Sequence, residues 1–545
     1  MTSLPSGSDQ GASAAFELLH PKVRKWIWQQ RWQELRDAQE AAIAPLLEGD
    51  LDVLIAAATA SGKTEAAFLP ICSALAADPP AGPGFSVMYI SPLKALINDQ
   101  YGRLDQLCEH LEIPVARWHG DVGADRKRKL IDDPRGILLI TPESLEALFV
   151  TRGWEVSRIV GALRYIVIDE LHSFIGAERG AQLQSLLHRL DLAARRHLPR
   201  VGLSATLGDM AAAADYLRPG AGQRVRLVVS DADGQELRLR VHGYLEAAPD
   251  PARPEPVEGE QIADDLFTML RGGHHLVFAN SRNAVERYTD LLARRCVGAG
   301  VPYEFVPHHG NLSKEIREDT EARLKDRSRP ASAICTSTLE MGIDIGSVTS
   351  VAQIGAPPGV AALRQRLGRS GRRGGPAVLR VYVSEPETTL ATPPAEELRT
   401  QLVLAIASVE LLLVRWYEPP RPSALHLSTL IQQVLSLIAQ HGGVTPKDAY
   451  RTLCATGPFR TVGAHVFADL LRDLGARDLV RQEPDGLLIH GGVGERLVNH
   501  YTFYAAFASP VEYRVVTTGR TLGTLPMEQP LPEKALFVFA GRRWQ

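Results

Sequence analysis

Ala57-Ala58-Thr59-Ala60-Ser61-Gly62-Lys63-Thr64 follows directly on the apolar run Leu51-Asp52-Val53-Leu54-Ile55-Ala56. The octet fits G-x-x-x-x-G-K-[ST] everywhere except its first position, where Ala57 replaces glycine. A strand that turns through such a loop into a helix offers backbone N–H groups and the helix N-terminus to phosphates. Lys63 is then expected on the β- and γ-phosphates and Thr64 on a magnesium ion. Ala60, Ser61, Gly62 and Glu65 complete the candidate ATP contacts. The bland alternative is a tight strand-to-helix turn.

Outward from this octet the chain alternates short apolar runs with helical patterns. The runs are 51–57, 86–91, 136–141, 164–169 and 200–205, then 274–280, 332–337, 348–354 and 377–383. This alternation predicts an α/β fold of two tandem doubly wound lobes, with functional residues at strand C-termini. The proline-rich, acidic stretch 247–261 reads as a loop at the start of the second lobe. After Ser384 the rhythm stops. Residues 396–417 read as one amphipathic helix with Leu398, Leu402, Ile406, Val409 and Leu413 on its apolar face. Helical segments near 427–440, 446–454 and 462–474 and strands around 479–490 make either a winged helix or a helical spacer. Residues 501–545 turn β-rich, and the last domain is expected to be incomplete. The boundaries read are 1–221, 222–385, 386–500 and 501–545.

Chemistry-bearing residues fall at the predicted strand ends. Asp169-Glu170-Leu171-His172 closes the run Tyr165-Ile166-Val167-Ile168. Buried carboxylates there require a cation or a donor, so Asp169 is a candidate magnesium ligand and Glu170 a candidate base for the attacking water. His172 suits a hydrogen bond to Ser204 or Thr206 of Ser204-Ala205-Thr206. Gln39, 24 residues before Lys63, has an amide able to bind both edges of adenine. Arginines 364, 366, 369, 372 and 373 read either as a solvated basic face or, with Gly368 and Gly371 between them, as a packed interface. On the second reading Arg369 and Arg372 are candidate arginine fingers. Gly342 and Asp344 are candidates for the nucleotide, Asp344 for the ribose hydroxyls. Candidate nucleic-acid contacts are Ser91, Pro92, Lys94, Thr141, Pro142, Ser281, Arg282, Thr336 and Thr338, hydroxyl-bearing or basic strand-end residues that hold a backbone without reading bases. The run Arg126-Lys127-Arg128-Lys129 reads as an exposed helix face.

Composition bounds these readings. A net charge of −3 argues against wholesale polycationic binding, so any nucleic-acid site must be local. Five cysteines without a C-x-x-C pair argue against zinc or iron–sulfur centres and fit a reducing compartment. The polar start and the lack of a long apolar run predict a soluble, cytoplasmic chain without membrane contact.

Taken together the motifs resemble those of superfamily 2 helicases of the DExH type. The stretches 308–319 (HHGNLSKEIRED), 337–348 (STLEMGIDIGSV), 356–375 (APPGVAALRQRLGRSGRRGG), 503–516 and 519–526 look most like the large helicase-related (Lhr) family. The resemblance runs from about residue 20 to nearly the end of the chain. It implies two RecA-like domains, a winged helix and the start of a β-rich domain. It also implies an ATP- and Mg2+-dependent translocase on single-stranded DNA, with 3′-to-5′ unwinding of duplexes or RNA:DNA hybrids and a role in DNA repair. The rival expectations are a DExH RNA helicase and an ATP-gated nucleic-acid clamp that does not unwind. Protein partners are not implied.

Overall fold

The computed structural model describes residues 14–57, 62–205, 208–230, 236–246, 259–342, 345–371, 375–388, 392–419, 425–505, 512–526, 532 and 534–544. They belong to two compact units: 1–232 with 419–508, and 233–418 with 509–545. Residues 247–258 of the proline-rich stretch lie outside the described residues.

The first unit is built on seven strands: β1 (Val53–Ala56), β2 (Val87–Ile90), β3 (Val115–Trp118), β4 (Ile137–Ile140), β5 (Tyr165–Ile168), β6 (Arg200–Ser204) and β7 (Arg226–Val229). They pair in parallel in the order β3-β4-β2-β5-β6-β1-β7. Side chains alternate across a strand, so Val53 and Ile55 enter one core and Leu54 the other. Helices Asp37–Glu48, Lys63–Ala77 and Lys94–Glu109 cover the first face. Helices Pro142–Arg152, Glu178–Ala194 and Met210–Leu217 cover the second. With both faces covered, the central strands must be apolar throughout, which is why they were legible.

The second unit repeats the plan with β8 (Leu237–Glu246), β9 (His274–Ala279), β10 (Phe305–His308), β11 (Ala331–Cys335), β12 (Ser350–Ile354) and β13 (Ala377–Pro386). Its parallel order is β10-β11-β9-β12-β13-β8. The segment 396–417 departs from its expected form. It breaks into Pro394–Glu397 and Thr400–Leu413, with Arg399 at φ 51° capping the second helix. Its buried face is Ala405, Val409 and Leu412, whereas Leu398, Ile406 and Leu413 are exposed. So many positions are apolar that the stripe could not be phased from periodicity.

Residues 425–505 complete the first unit. Helices Leu427–His441, Pro446–Tyr450 (continued by a wider turn, Arg451–Ala455) and Ala464–Ala476 precede an antiparallel hairpin, β14 (Val480–Gln482) and β15 (Leu488–His490). This module docks through a buried polar network. Arg189 donates to Gln440 Oε1 (2.8 Å), Gln433 Oε1 (3.1 Å) and Ser436 Oγ (3.0 Å), and lies 3.5 Å from Glu146 Oε1. Glu146 also accepts from Gln182 Nε2 (2.9 Å), Gln433 Nε2 and the Ser436 hydroxyl. Burial pushes the Arg189 guanidinium down to about 10, with Glu146 opposing the shift. Gly153 packs so closely that a Cβ there would collide with the Gln440 carbonyl.

Removing one member of a buried ion pair strands the other, at a cost of about 3–5 kcal/mol. Arg189→Ala is therefore expected to lower stability in chemical denaturation by that amount. The paired change Glu146→Gln with Arg189→Met should cost clearly less. Equal losses in the two variants would show that packing, not charge, holds the module. A truncation at residue 420 would uncover the same network and is a test of stability before it is a test of function.

The remaining strands, β16 (Glu512–Thr517), β17 (Arg520–Pro526), β18 (Phe537–Phe539) and β19 (Arg542–Trp544), form two hairpins on the second unit. Glu286 accepts from Ala540 N (2.8 Å) and Gly541 N (2.9 Å), and Arg543 grips Asp290 with two bonds of 3.0 Å. The β-rich 501–545 is thus divided, since residues up to 508 group with the first unit and the rest with the second.

Candidate functional site

The C-terminal edge of the first sheet divides into two stretches. The adjacent strands β5, β6 and β1 end in Asp169-Glu170, Ser204-Ala205 and the phosphate loop. The adjacent strands β3, β4 and β2 end in His119-Gly120-Asp121, Thr141-Pro142 and Ser91-Pro92.

In the first stretch Gly62 caps the helix Lys63–Ala77 with φ 82°, a conformation that favours glycine. A Cβ there would also collide with the Gln39 amide. Gln39 is buried: its Oε1 accepts from Arg36 N (3.0 Å) and its Nε2 points to the Gly62 carbonyl (3.5 Å). The glutamine expected at adenine is thus also the brace between a helix start and the phosphate loop. Lys63 Nζ donates to the Ala57 carbonyl (3.0 Å) across that loop. Thr64 and Glu65 occupy the first turn of the helix, half-buried. Ala60, Ser61 and Thr206 lie outside the described residues.

Asp169 is buried, and its two oxygens accept from the Tyr89 hydroxyl and from Glu170 N (2.9 Å). Burial, and then the neighbouring Glu170 carboxylate, push its proton affinity well above the usual carboxylate range, while Tyr89 and Lys63 oppose this. A divalent cation would relieve that cost, and an oxygen donor set of Asp169 and Thr64 suits Mg2+, which keeps waters and phosphates as its other ligands. Among the described residues there is no cluster of three or more His, Cys, Asp or Glu side chains that would cage a metal by themselves.

Glu170 holds a left-handed backbone, φ 47° and ψ 45°, which costs a non-glycine residue about 1–2 kcal/mol and turns its side chain off the strand direction. Its Oε2 lies 3.6 Å from His172 Nε2. On the other ring nitrogen, His172 Nδ1 accepts from Ala205 N (3.3 Å) and meets Ser204 Oγ at 3.4 Å. An N–H donated to Nδ1 places the imidazole proton on Nε2, facing Glu170. Burial lowers the affinity of His172 for a second proton, in keeping with a neutral ring. The expected bond from His172 to Ser204 is present.

In the second stretch Thr141 caps the helix Pro142–Arg152, accepting from Ser144 N (3.3 Å), and Pro142 is its first residue. Ser91 is fully buried, and its Oγ has no partner among the described residues. Lys94 Nζ pairs with Asp121 at 3.0 Å, beside Gly120. Asn98 meets Arg117 (2.9 Å) and His119 (3.2 Å). Burial pushes His119 down to about 4, against Asp121 and with Lys94, Arg117 and Lys127. Of the basic run 126–129 only Lys127 turns inward, its ammonium 5.9 Å from the Trp118 ring. The loop 118–121 escaped the sequence reading because β3 was not read as a strand.

The second unit offers the same kind of edge at β10, β11 and β9. Ser281 caps the helix Arg282–Gly298, accepting from Ala284 N (3.1 Å), and Arg282 is exposed. Thr336 N donates to the His308 carbonyl (3.2 Å), and the Thr338 hydroxyl meets both that carbonyl (3.2 Å) and His308 Nδ1 (2.8 Å). Arg366 is buried on Glu340 (2.9 Å from Nε) and over the Phe278 ring at 4.8 Å. Arg369 is buried too, its Nε (3.2 Å) and one terminal nitrogen (2.7 Å) on the Glu340 carbonyl. Gly342 follows in the same loop, whereas Asp344, Arg372 and Arg373 lie outside the described residues.

The DEAD/DEAH box helicase profile matches residues 36–213, and the helicase conserved C-terminal domain profile matches residues 260–374. The ATP-dependent helicase Lhr-Core of Methanothermobacter thermautotrophicus is 32% identical over 65% of this chain and 42% of its own length. The Lhr helicase/probable uracil glycosylase of Mycolicibacterium smegmatis is 31% identical over 79% of this chain and 30% of its own. The chain thus spans well under half of these relatives. Among solved structures, Mycobacterium smegmatis Lhr bound to ssDNA and AMP-PNP superposes with a TM-score of 0.76 at 28% identity, covering 92% of this chain and 64% of that one. No helix among the described residues is long and apolar enough to cross a membrane.

Proposed function

This chain belongs to the superfamily 2 helicases of the DEAD/DEAH box, with the Lhr helicases as its kin, and we propose on that premise that it is an ATP-driven motor on single-stranded nucleic acid. The observation that carries this reading is the meeting of Lys63, Asp169, Glu170 and the His172–Ser204 contact at three adjacent strand ends. Backbone amides and Lys63 hold the phosphates, and Gln39 takes the adenine. Asp169 and Thr64 would hold Mg2+, which would supply positive charge to offset that of the phosphates. Glu170 orients the attacking water and takes its proton. His172 joins Glu170 to the end of β6, so a change at the carboxylate reaches Ser204 directly. Arg369 and Arg372 are the proposed transition-state arginines, and Gly342 and Asp344 the further nucleotide contacts.

The strand is proposed to run over the loops that carry Ser91, Pro92, Lys94, Thr141 and Pro142, and over those that carry Ser281, Arg282, Thr336 and Thr338. His119 to Asp121 and His308 to Asn311 join them as the loops of the two missed edge strands. The relative caught with ssDNA supports a DNA strand. Polarity from 3′ to 5′, action on RNA:DNA hybrids, work in DNA repair and a cytoplasmic location rest on the family alone. We read residues 427–490 as a winged helix that steadies the strand rather than reading a groove. Around its third helix Arg472, Arg477 and Arg481 are each paired with an aspartate three or four residues away, leaving no basic face there.

The test is ATPase stimulation by single-stranded DNA against matched RNA, followed by unwinding of tailed duplexes. Binding should weaken with salt, with a slope of roughly 0.7 per phosphate contacted. Absence of stimulation by either polymer would remove the motor reading. Unwinding of 5′-tailed but not 3′-tailed duplexes would remove only the polarity.

A further inference from the structure

The second unit holds a cavity of about 390 Å³ between the helix Lys314–Lys325, the end of β10 and the hairpins β16–β17 and β18–β19. This size lies within the range of roughly 300–1,000 Å³ that small-ligand sites occupy. Three guanidiniums line it, from Arg323, Arg520 and Arg542, against the single carboxylate of Asp319. Asp319 is already paired with Arg323 at 3.0 Å. Arg520 and Arg542 are exposed and join no ion pair among the described residues. In a chain of net charge −3, a cationic hollow of this kind stands apart from the average surface.

The walls also carry two aromatic rings, Tyr303 and Trp544. Trp544 is fixed by its indole N–H, which donates to the Phe539 carbonyl at 2.8 Å. Tyr303 is 41% exposed and so open to a partner. Guanidiniums beside open rings are the combination that binds a nucleotide of a single strand: the cations take the phosphate, and the ring takes the base face without reading its identity. The cavity is continuous with the strand-end loop of β10. Ser313 N donates to the Leu522 carbonyl (2.6 Å), Thr524 N to the Asn311 carbonyl (2.8 Å), and Leu312 bridges Gly523. The hairpin that forms one wall is therefore stitched to the loop whose His308 holds Thr338.

We propose that this cavity is a further nucleic-acid contact that takes one nucleotide of a single strand, its phosphate at Arg520 and Arg542 and its base on Tyr303. The proposal rests on the motor reading, which supplies the strand. It gives the second unit a grip outside the loops that the sequence motifs mark, on residues contributed by the last part of the chain.

The test uses the full chain and a labelled single-stranded oligonucleotide, DNA and RNA in parallel, with affinity measured across a salt series. Arg520→Ala with Arg542→Ala should weaken binding on the order of tenfold at low salt and reduce the salt slope by roughly 0.7, the value for one phosphate on a single strand. Arg520→Lys with Arg542→Lys should keep most of the slope, and Tyr303→Ala should weaken binding about fivefold or more. ATP binding should be unchanged in all three and thermal unfolding in the two arginine pairs, whose side chains lie at the surface, while Tyr303→Ala also removes a partly packed ring and is read by its ATP binding. Wild-type affinity and slope in both the alanine pair and Tyr303→Ala would overturn the cavity while leaving the motor reading intact. A loss confined to inorganic phosphate or a mononucleotide, with strand affinity unchanged, would assign the cavity to a free anion and also overturn it. If the unaltered chain binds no single strand, the motor reading fails and the cavity proposal with it.

Discussion

Glu170→Gln is expected to lower ATP turnover by about 10²–10⁴-fold while leaving ATP and strand binding close to those of the unaltered chain. The amide keeps the shape of the carboxylate and can still present an oxygen toward His172 Nε2, which stands 3.6 Å away. It cannot take a proton from water. The left-handed backbone at Glu170 is set by the turn after β5 and does not depend on the side-chain charge, so the fold should not change. Losing the negative charge also removes one of the causes that raise the proton affinity of Asp169, which favours a cation-ready carboxylate. Binding of a fluorescent ATP analogue and of a labelled oligonucleotide separates these effects from turnover. Near-normal hydrolysis would show that another group directs the water.

Arg372→Ala should have the largest effect on turnover, on the order of 10³–10⁵-fold, with nucleotide affinity little changed, because such a charge matters once the γ-phosphate is in flight. Arg369→Ala is expected to lose turnover and stability together. Its guanidinium is buried and ties down the Glu340 carbonyl at 3.2 and 2.7 Å, so removal takes both of these bonds away, at about 1–3 kcal/mol. Lysine has one nitrogen and no planar fork, so Arg369→Lys should restore less than an Arg-to-Lys change at an exposed site. Thermal melts beside single-turnover assays tell the two arginines apart. A collapse of ATP affinity with normal turnover of bound ATP would make both ground-state ligands instead.

The limits of the sequence follow a physical line. Every strand read from apolar runs is interior to its sheet or, like β13, paired on both sides. The four that escaped, β3, β7, β8 and β10, are the edges of the two large sheets. An edge strand has one neighbour and more solvent, so its residues alternate or mix, as in Leu237-Arg238-Leu239-Arg240, and no continuous apolar run marks it. Missing β3 meant missing the loop that follows it, His119-Gly120-Asp121, whereas His309-Gly310-Asn311 after β10 was marked only by its family likeness and not as a strand end. The candidate nucleotide motifs stood out because each is contiguous and the chemistry expected of it lies within a few residues. Tyr89 on Asp169 and Arg189 on Gln433 join residues 80 and 244 apart, and nothing local in either segment announces its partner.

The division of the chain between two units has a consequence for how the molecule is made. Arg189 leaves the ribosome 247 residues before Ser436, the partner that seals it. At roughly 5–20 residues per second, the helix Glu178–Ala194 waits on the order of 10–50 seconds with its arginine and glutamines uncovered. Glu286 waits similarly for Ala540, 254 residues later. Each half of the nascent chain therefore stands unfinished until a segment from far downstream arrives. The first unit cannot close until residues 419–508 are made, nor the second until 509–545 are, so each of these late segments acts as the clasp for a body largely shaped before it.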